Sequence, residues 1–195
     1  MKITTLHTGL IQTNTYLFET KNALAVVDPG DDADKILKKA LELGKPVKFI
    51  LLTHAHYDHV GAVAELQKLG AIVHMHSLEE ELTKCIYGIF KPVKPDVLVC
   101  SAVPLYLDGV RVDVLHTPGH SAGSVCYLVG ENLFSGDTLF LEEIGRCDLP
   151  SGDFTVMKKS LKKILALPKN YRILPGHGDE TTLEHERKHN RYVNA

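Results

Sequence analysis

The stretch ILLTHAHYDHVG, residues 50–61, joins an uninterrupted apolar run to three histidines and an aspartate packed between positions 54 and 59. On a helix, His54 and His56 would stand about 200° apart and could not grip one ion, so they belong to an extended or turning backbone. Phe49, Ile50, Leu51 and Leu52 have the apolar continuity of a strand buried on both faces. Val60, Val63, Leu66 and Leu69 then recur at a spacing of three, which predicts a short helix opening near Asp58 and closing at Gly70. The reading is strand, ligand loop, helix: a rigid base from which imidazoles and a carboxylate can hold a divalent metal. The competing reading makes Asp58 a plain helix N-cap among surface histidines.

Composition narrows what such a site can serve. With 195 residues and 44% hydrophobic content the chain can bury a substantial core, and residues 1–195 are expected to form one domain. A formal charge of -2, with acids and bases interspersed, gives no electrostatic footprint for nucleic acid. No signal-peptide pattern is legible at the start, and no apolar run approaches the roughly 20 residues that span a bilayer. The expectation is a cytoplasmic protein without nucleic-acid or membrane partners. Cys85, Cys100, Cys126 and Cys147 form no CxxC pair, which fits reduced thiols, mostly in the core, better than a disulfide framework.

Taken in order, KITTLHTG, TYLFET and ALAVVDPG read as a meander of short strands, with Thr13, Asn14, Lys21 and Asn22 as turn residues. Asp32 or Asp34 can cap a helix stopped by Gly44 and Pro46, and AIVHMH reads as a strand. Ser77 and Glu80 have capping-box spacing. Residues 85–102, broken by Pro92 and Pro95, fit a lid or edge loop. PLYLDGVRVDVLH and SVCYLVGENLFSGD read as hairpins, and Asp153 caps a helix that ends at Pro168. The alternation of strands and helices predicts two α/β halves packed sheet to sheet with helices outside.

Three further apolar strands end in small-residue loops that deliver a ligand: VLHTPGH at His120, LFSGD at Asp137 and ILPGH at His177. A Gly-His or Gly-Asp after one strand is usually a plain turn. With the first cluster they supply seven candidate ligands at four strand ends, all of types that suit zinc or iron. HERKH at 185–189 matches the HExxH zinc-protease pattern but reads as a solvated helix face. His74, His76 and His116 read as packed residues. Thr53, Thr117 and Ser121, with the backbone of Gly119 and Gly136, are candidates to fix imidazole tautomers.

In order and spacing, THAHYDH, TPGHSAGS, SGDTLF and LPGHGD resemble the motifs of the metallo-β-lactamase superfamily. The resemblance implies an α/β four-layer αβ/βα sandwich, two mixed sheets with helices outside, and a binuclear site in the cleft between the sheet edges. It implies one metal on His54, His56 and His120, a second on Asp58, His59 and His177, and Asp137 bridging them. IGRCDLPSGD at 144–153, PGHGDETT and ERKHNRY resemble more closely the short glyoxalase II-like, or hydroxyacylglutathione hydrolase-like, branch. That implies a hydrolase of thioesters such as S-lactoylglutathione, with Asp58 as catalytic residue and Arg146 as a substrate contact, although Asp148 stands where that branch tends to place an aromatic. The implied cofactors are two divalent ions, zinc first, with iron or manganese also suited to this donor set. Two such ions make hydroxide available at neutral pH, so no serine or cysteine nucleophile is needed. The alternative is a persulfide dioxygenase-like enzyme with one iron.

Overall fold

The computed structural model describes residues 1–85, 92–101 and 103–193. The first sheet runs in chain order through β1 (Ile3–Thr8), β2 (Thr13–Glu19), β3 (Leu24–Val27), β4 (Val47–Leu51), β5 (Ile72–His76) and β6 (Val97–Val99). Its first two pairings are antiparallel, and the three from β3 to β6 are parallel. Parallel neighbours need crossovers. These carry α1 (Ala33–Glu42), α2 (Val63–Lys68) and α3 (Ser77–Cys85). The second sheet also follows chain order: β7 (Leu105–Leu107), β8 (Val110–His116), β9 (Val125–Val129), β10 (Asn132–Gly136), β11 (Arg172–Pro175) and β12 (Thr181–Thr182). Its one parallel pair, β10 with β11, is joined through α4 (Phe154–Leu165), and α5 (Leu183–His189) follows β12.

Strand alternation builds the layers. Tyr16, Phe18, Ala25, Val27 and Leu51 face Val112, Val114, Tyr127 and Phe134 in a core between the two sheets. The opposite faces carry Leu17, Val26, Ile50 and Leu52, which pack with Ile36, Ala40, Val63 and Leu66 of the outer helices. On the far side Cys126, Leu133 and Ile173 meet Met157, Leu161 and Ile164 of α4. Three cores between four layers make the expected sandwich with two mixed sheets inside. Within the central core the ring centroids of Phe18 and Phe134 lie 5.7 Å apart, and those of Tyr16 and Phe134 5.4 Å, in the offset or tilted contacts that aromatic quadrupoles favour.

The hairpin at Asp108–Gly109 has positive φ at both residues, 47° and 87°, as an Asp-Gly type I′ turn requires. Asp153 accepts a hydrogen bond from Val156 N at 3.0 Å and caps α4. Other local expectations fail. Thr13 and Asn14 lie inside β2, and the turn before them uses Gly9 and Gln12 at positive φ. Asp32 precedes α1 in the left-handed region, and its side chain does not cap the helix. Asp58 opens no helix either: residues 57–62 are turns and a bend, and α2 starts at Val63. At α3, Leu78 N donates to His76 Nδ1 at 3.3 Å where a Ser77–Glu80 capping box was expected. Cys100 is exposed, against the expectation that the cysteines are mostly core. The expected lid over 85–102 lies partly outside the described residues, and Val97–Val99 within it forms the edge strand β6. Among the described residues no helix is long and apolar enough to cross a membrane.

Candidate metal centre

Each ligand-bearing segment leaves the C-terminal end of a strand: 52–62 after β4, 117–124 after β8, Asp137 after β10 and 176–178 after β11. A buried strand fixes where its last residue points, so the following loop delivers side chains from a rigid origin. The loop after β11 is also held from the other sheet. Tyr16 Oη and Asn14 Nδ2 donate to Pro175 O at 2.7 and 3.0 Å, and Asn14 Nδ2 also donates to Gly178 O at 2.8 Å. Gly176 is required by close approach. A Cβ there would stand 2.2 Å from Asp137 Oδ1 and 2.7 Å from His59 Cε1.

The loops bring the sequence candidates together in two groups. His54, His56 and His120 form one and Asp58, His59 and His177 the other, each offering ligand atoms within 4.8 Å of one another. In the second group His59 Nε2 lies 3.3 Å from both His177 Nε2 and Asp58 Oδ2, and Asp58 Oδ2 lies 3.1 Å from His177 Nε2. In the first, His120 Nε2 faces His56 Nδ1 at 2.8 Å. Asp137 lies between the groups, with Oδ1 3.4 Å from His59 Nε2 and Oδ2 3.5 Å from His120 Nε2 and 3.7 Å from His177 Nε2.

Behind them stands a residue the sequence reading did not single out. Asp28, buried at the end of β3 with φ 48°, accepts from Thr53 N at 2.8 Å, Thr53 Oγ1 at 2.6 Å and His59 Nδ1 at 3.0 Å. Since the Thr53 hydroxyl donates to Asp28, it accepts from His54 Nδ1, 3.0 Å away. One carboxylate thereby sets the tautomers of two histidines and turns both Nε2 lone pairs toward the centre. The signal was an aspartate in an Asp-Pro-Gly segment directly after an apolar strand. His120 Nδ1 donates to Arg146 O at 2.8 Å, so that residue also has a backbone role.

The donor set fits divalent metal. Ligand atoms about 2.0–2.2 Å from a shared tetrahedral centre stand roughly 3.3–3.6 Å apart, the spacing of most pairs above. His54 Nε2 is fully buried with no hydrogen-bond partner among the described residues, an arrangement that is costly unless a cation takes the lone pair. Burial, reinforced by the neighbouring imidazoles, pushes His54 well below the usual histidine range and His56 down to about 3, so both stay neutral as ligands must. Burial opposes ionisation of Asp58, but hydrogen bonds from His177 and His59 outweigh it and hold the carboxylate ionised. At His59 burial disfavours charge, yet the Asp137 carboxylate and the Asp28 hydrogen bond outweigh it and raise its pKa well above the usual value. Without metal, the Asp137 and Asp28 carboxylates therefore favour the protonated form of His59. Adding zinc to metal-free protein in weak buffer at neutral pH should release protons, read with an indicator dye; uptake without release would show that His59 is not a ligand.

A cavity of about 460 Å³ opens over Asp58, Asp137, His56, His120 and His177, walled by Ile11, Tyr57, Phe140 and Leu149, with Arg146 at its edge. The Arg146 side chain is 62% exposed, and its Nε and Nη2 bond Asp148 Oδ1 and Oδ2 at 2.7 and 2.8 Å. Of the proposed tautomer-fixing residues only Thr53 reaches an imidazole. Thr117 Oγ1 meets Cys126 Sγ and Thr138 Oγ1, and Ser121 Oγ meets Glu79 and Ser124. The HERKH segment is not wholly solvated: Glu186 is buried and accepts from Thr181 Oγ1, Glu142 N and Asn190 Nδ2. His76 and His116 stack 4.4 Å apart, and buried His74 bonds Ile50 O, so these three pack outside the two groups.

Comparison with known proteins agrees with this geometry. The family model described as "Metallo-beta-lactamase superfamily" matches residues 8–177. Hydroxyacylglutathione hydrolase GloC of Haemophilus influenzae is 34% identical over 191 residues, covering 91% of this chain and 90% of that one. The crystal structure of BLEG-1 B3 metallo-beta-lactamase matches with a TM-score of 0.90 at 34% identity, covering 100% of both chains. TTHA1623 in a di-iron-bound form matches with a TM-score of 0.83 at 39% identity, covering 97% of this chain and 99% of that one.

Proposed function

The chain belongs to the metallo-beta-lactamase superfamily, and from that premise we propose that it is a metal-dependent hydrolase of thioesters such as S-lactoylglutathione. The observation that carries the reading is the pair of three-ligand groups joined by Asp137 at the floor of a cavity with apolar walls. In this reading His54, His56 and His120 hold one divalent ion, Asp58, His59 and His177 the other, and Asp137 both. Bound there, such ions supply Lewis acidity and make hydroxide available near neutral pH.

The chain's own groups supply position. Asp58, ionised and reachable from the cavity, accepts from Thr13 Oγ1 at 3.4 Å and can take one hydrogen of an attacking water, fixing the direction of its lone pair. Ile11, Tyr57, Phe140 and Leu149 offer the acyl group an apolar wall and keep bulk water from the carbonyl. Cys147 Sγ donates to Gly145 O at 3.4 Å and burial pushes its pKa up, so it is poorly suited to act as a nucleophile.

The test is a panel of S-lactoylglutathione, a neutral thioester, a lactone, a β-lactam and glutathione persulfide, assayed on metal-analysed protein. Thioester turnover is expected to dominate and to vanish with chelation. Stoichiometric oxygen uptake with the persulfide would move the assignment to a mononuclear iron dioxygenase, and preferential β-lactam turnover to a lactamase.

Arg146 is proposed as the carboxylate contact. To serve, its guanidinium must exchange Asp148 for the substrate carboxylate, a swap between equivalent bidentate pairs. Arg146→Ala should raise KM several-fold for an anionic thioester, leave kcat nearly unchanged and spare a neutral thioester. Equal losses on both substrates would remove Arg146 from recognition.

A further inference from the structure

Glu79, on the second residue beyond the start of α3, is a fully buried carboxylate that the reading above does not use. Its Oε2 accepts from Ala55 N at 2.8 Å, and its Oε1 accepts from Ser121 Oγ at 2.6 Å and Gly123 N at 2.8 Å. Ala55 lies between His54 and His56, and Ser121 directly follows His120. One side chain therefore ties together the two loops that carry the first ligand group, at Ala55 and Ser121, which adjoin ligands, and at Gly123. The fit is close. A Cβ on Gly123 would stand 2.7 Å from Glu79 Cγ and N.

Burial raises the pKa of Glu79, while its three donors pull the other way. Among the described residues it has no ion pair, and a buried carboxylate without counter-charge is costly. Among the described residues Glu79 makes no hydrogen bond to the second group, whose residues are backed by Asp28, by Thr13 at Asp58 and by the Asn14 bonds to the loop after β11.

We infer that Glu79 is a positioning residue that sets the spacing of His54, His56 and His120 and tunes cation affinity at that group alone. The inference rests on the metal-centre reading, though not on the choice of substrate. Gln keeps the shape of Glu79 but sets an amide donor against Ala55 N–H and removes the charge.

The test uses Co²⁺ titration of metal-free protein, followed by the visible absorption of the bound ion. In a His177→Ala background, which leaves the first group intact, Glu79→Gln should weaken Co²⁺ binding by about tenfold or more and change the spectrum, whereas in a His120→Ala background, which leaves the second, it should change affinity by less than about threefold. Ser121→Ala, which removes one donor, should produce a smaller loss with the same selectivity and serves if Glu79→Gln does not fold. Equal weakening in both backgrounds, or a lowered melting temperature with neither affinity changed, would make Glu79 merely structural and overturn the inference. A parent protein that binds no Co²⁺ would overturn the metal-centre reading along with it.

Discussion

Asp137→Ala should strip both ions from the protein and lower kcat/KM by on the order of 10³-fold, the scale of losing a principal electrostatic stabiliser. Asp137 lies in the cavity floor and approaches both groups, through Oδ1 at His59 and Oδ2 at His120 and His177. Gly176 packs against Asp137 Oδ1 too closely to admit a Cβ, so the carboxylate is held in place by backbone. Elemental analysis after gel filtration decides the matter. Two ions retained at full occupancy would remove Asp137 from the centre, and loss of one ion alone would confine it to one group.

Asp28→Asn should weaken metal binding by about 10–100-fold although Asp28 belongs to the layer behind the ligands. Asparagine offers one acceptor oxygen where the carboxylate serves Thr53 N, Thr53 Oγ1 and His59 Nδ1. With its NH2 in the place of Oδ2, both His54 and His59 lose the bonds that turn their Nε2 lone pairs inward. With its NH2 in the place of Oδ1, a donor is set against Thr53 N and the loop carrying His54 shifts. The same variant should alter the pH response of metal-free protein. His59 has a raised folded-state pKa, so its contribution to stability is fully present below its unfolded value of about 6.5 and is lost as pH rises through the folded value. Burial lowers that value; the Asp137 charge and then the Asp28 hydrogen bond raise it. The drop in urea midpoint between about pH 7 and about pH 9 should therefore be shallower in Asp28→Asn than in the parent. An unchanged slope would mean that Asp28 does not govern the His59 proton.

What the sequence made legible was what repeats a simple physical pattern. Phe49–Leu52 reads as a doubly buried strand because both of its faces are apolar, and Ile50 and Leu51 do enter different cores. The four ligand segments were visible because each follows such a strand. Periodicity misled where side-chain chemistry overrides it: Val60, Val63 and Leu66 are buried as expected, yet Asp58 is engaged by His59 and His177, His59 N turns back to His56 O, and Gly61 N and Ala62 N bond Gly30 O and Pro29 O, so the helix begins only at Val63. Leu69, the next residue of that period, is exposed. Asp28 and Glu79 were hidden for a different reason. Each acts through bonds to loops distant in sequence, and nothing in their neighbours distinguishes them from a turn aspartate and a surface helix glutamate.

Each sheet is wound in chain order, and the ligand groups straddle the join. His54 and His56 come from the first sheet, but their partner His120 arrives only after β8; Asp58 and His59 wait for His177, after β11. A chain emerging from the ribosome thus displays incomplete, low-affinity donor clusters for most of its synthesis. On the proposed assignment, tight capture of metal waits until β11 has docked, and a retained ion would certify that both sheets have assembled.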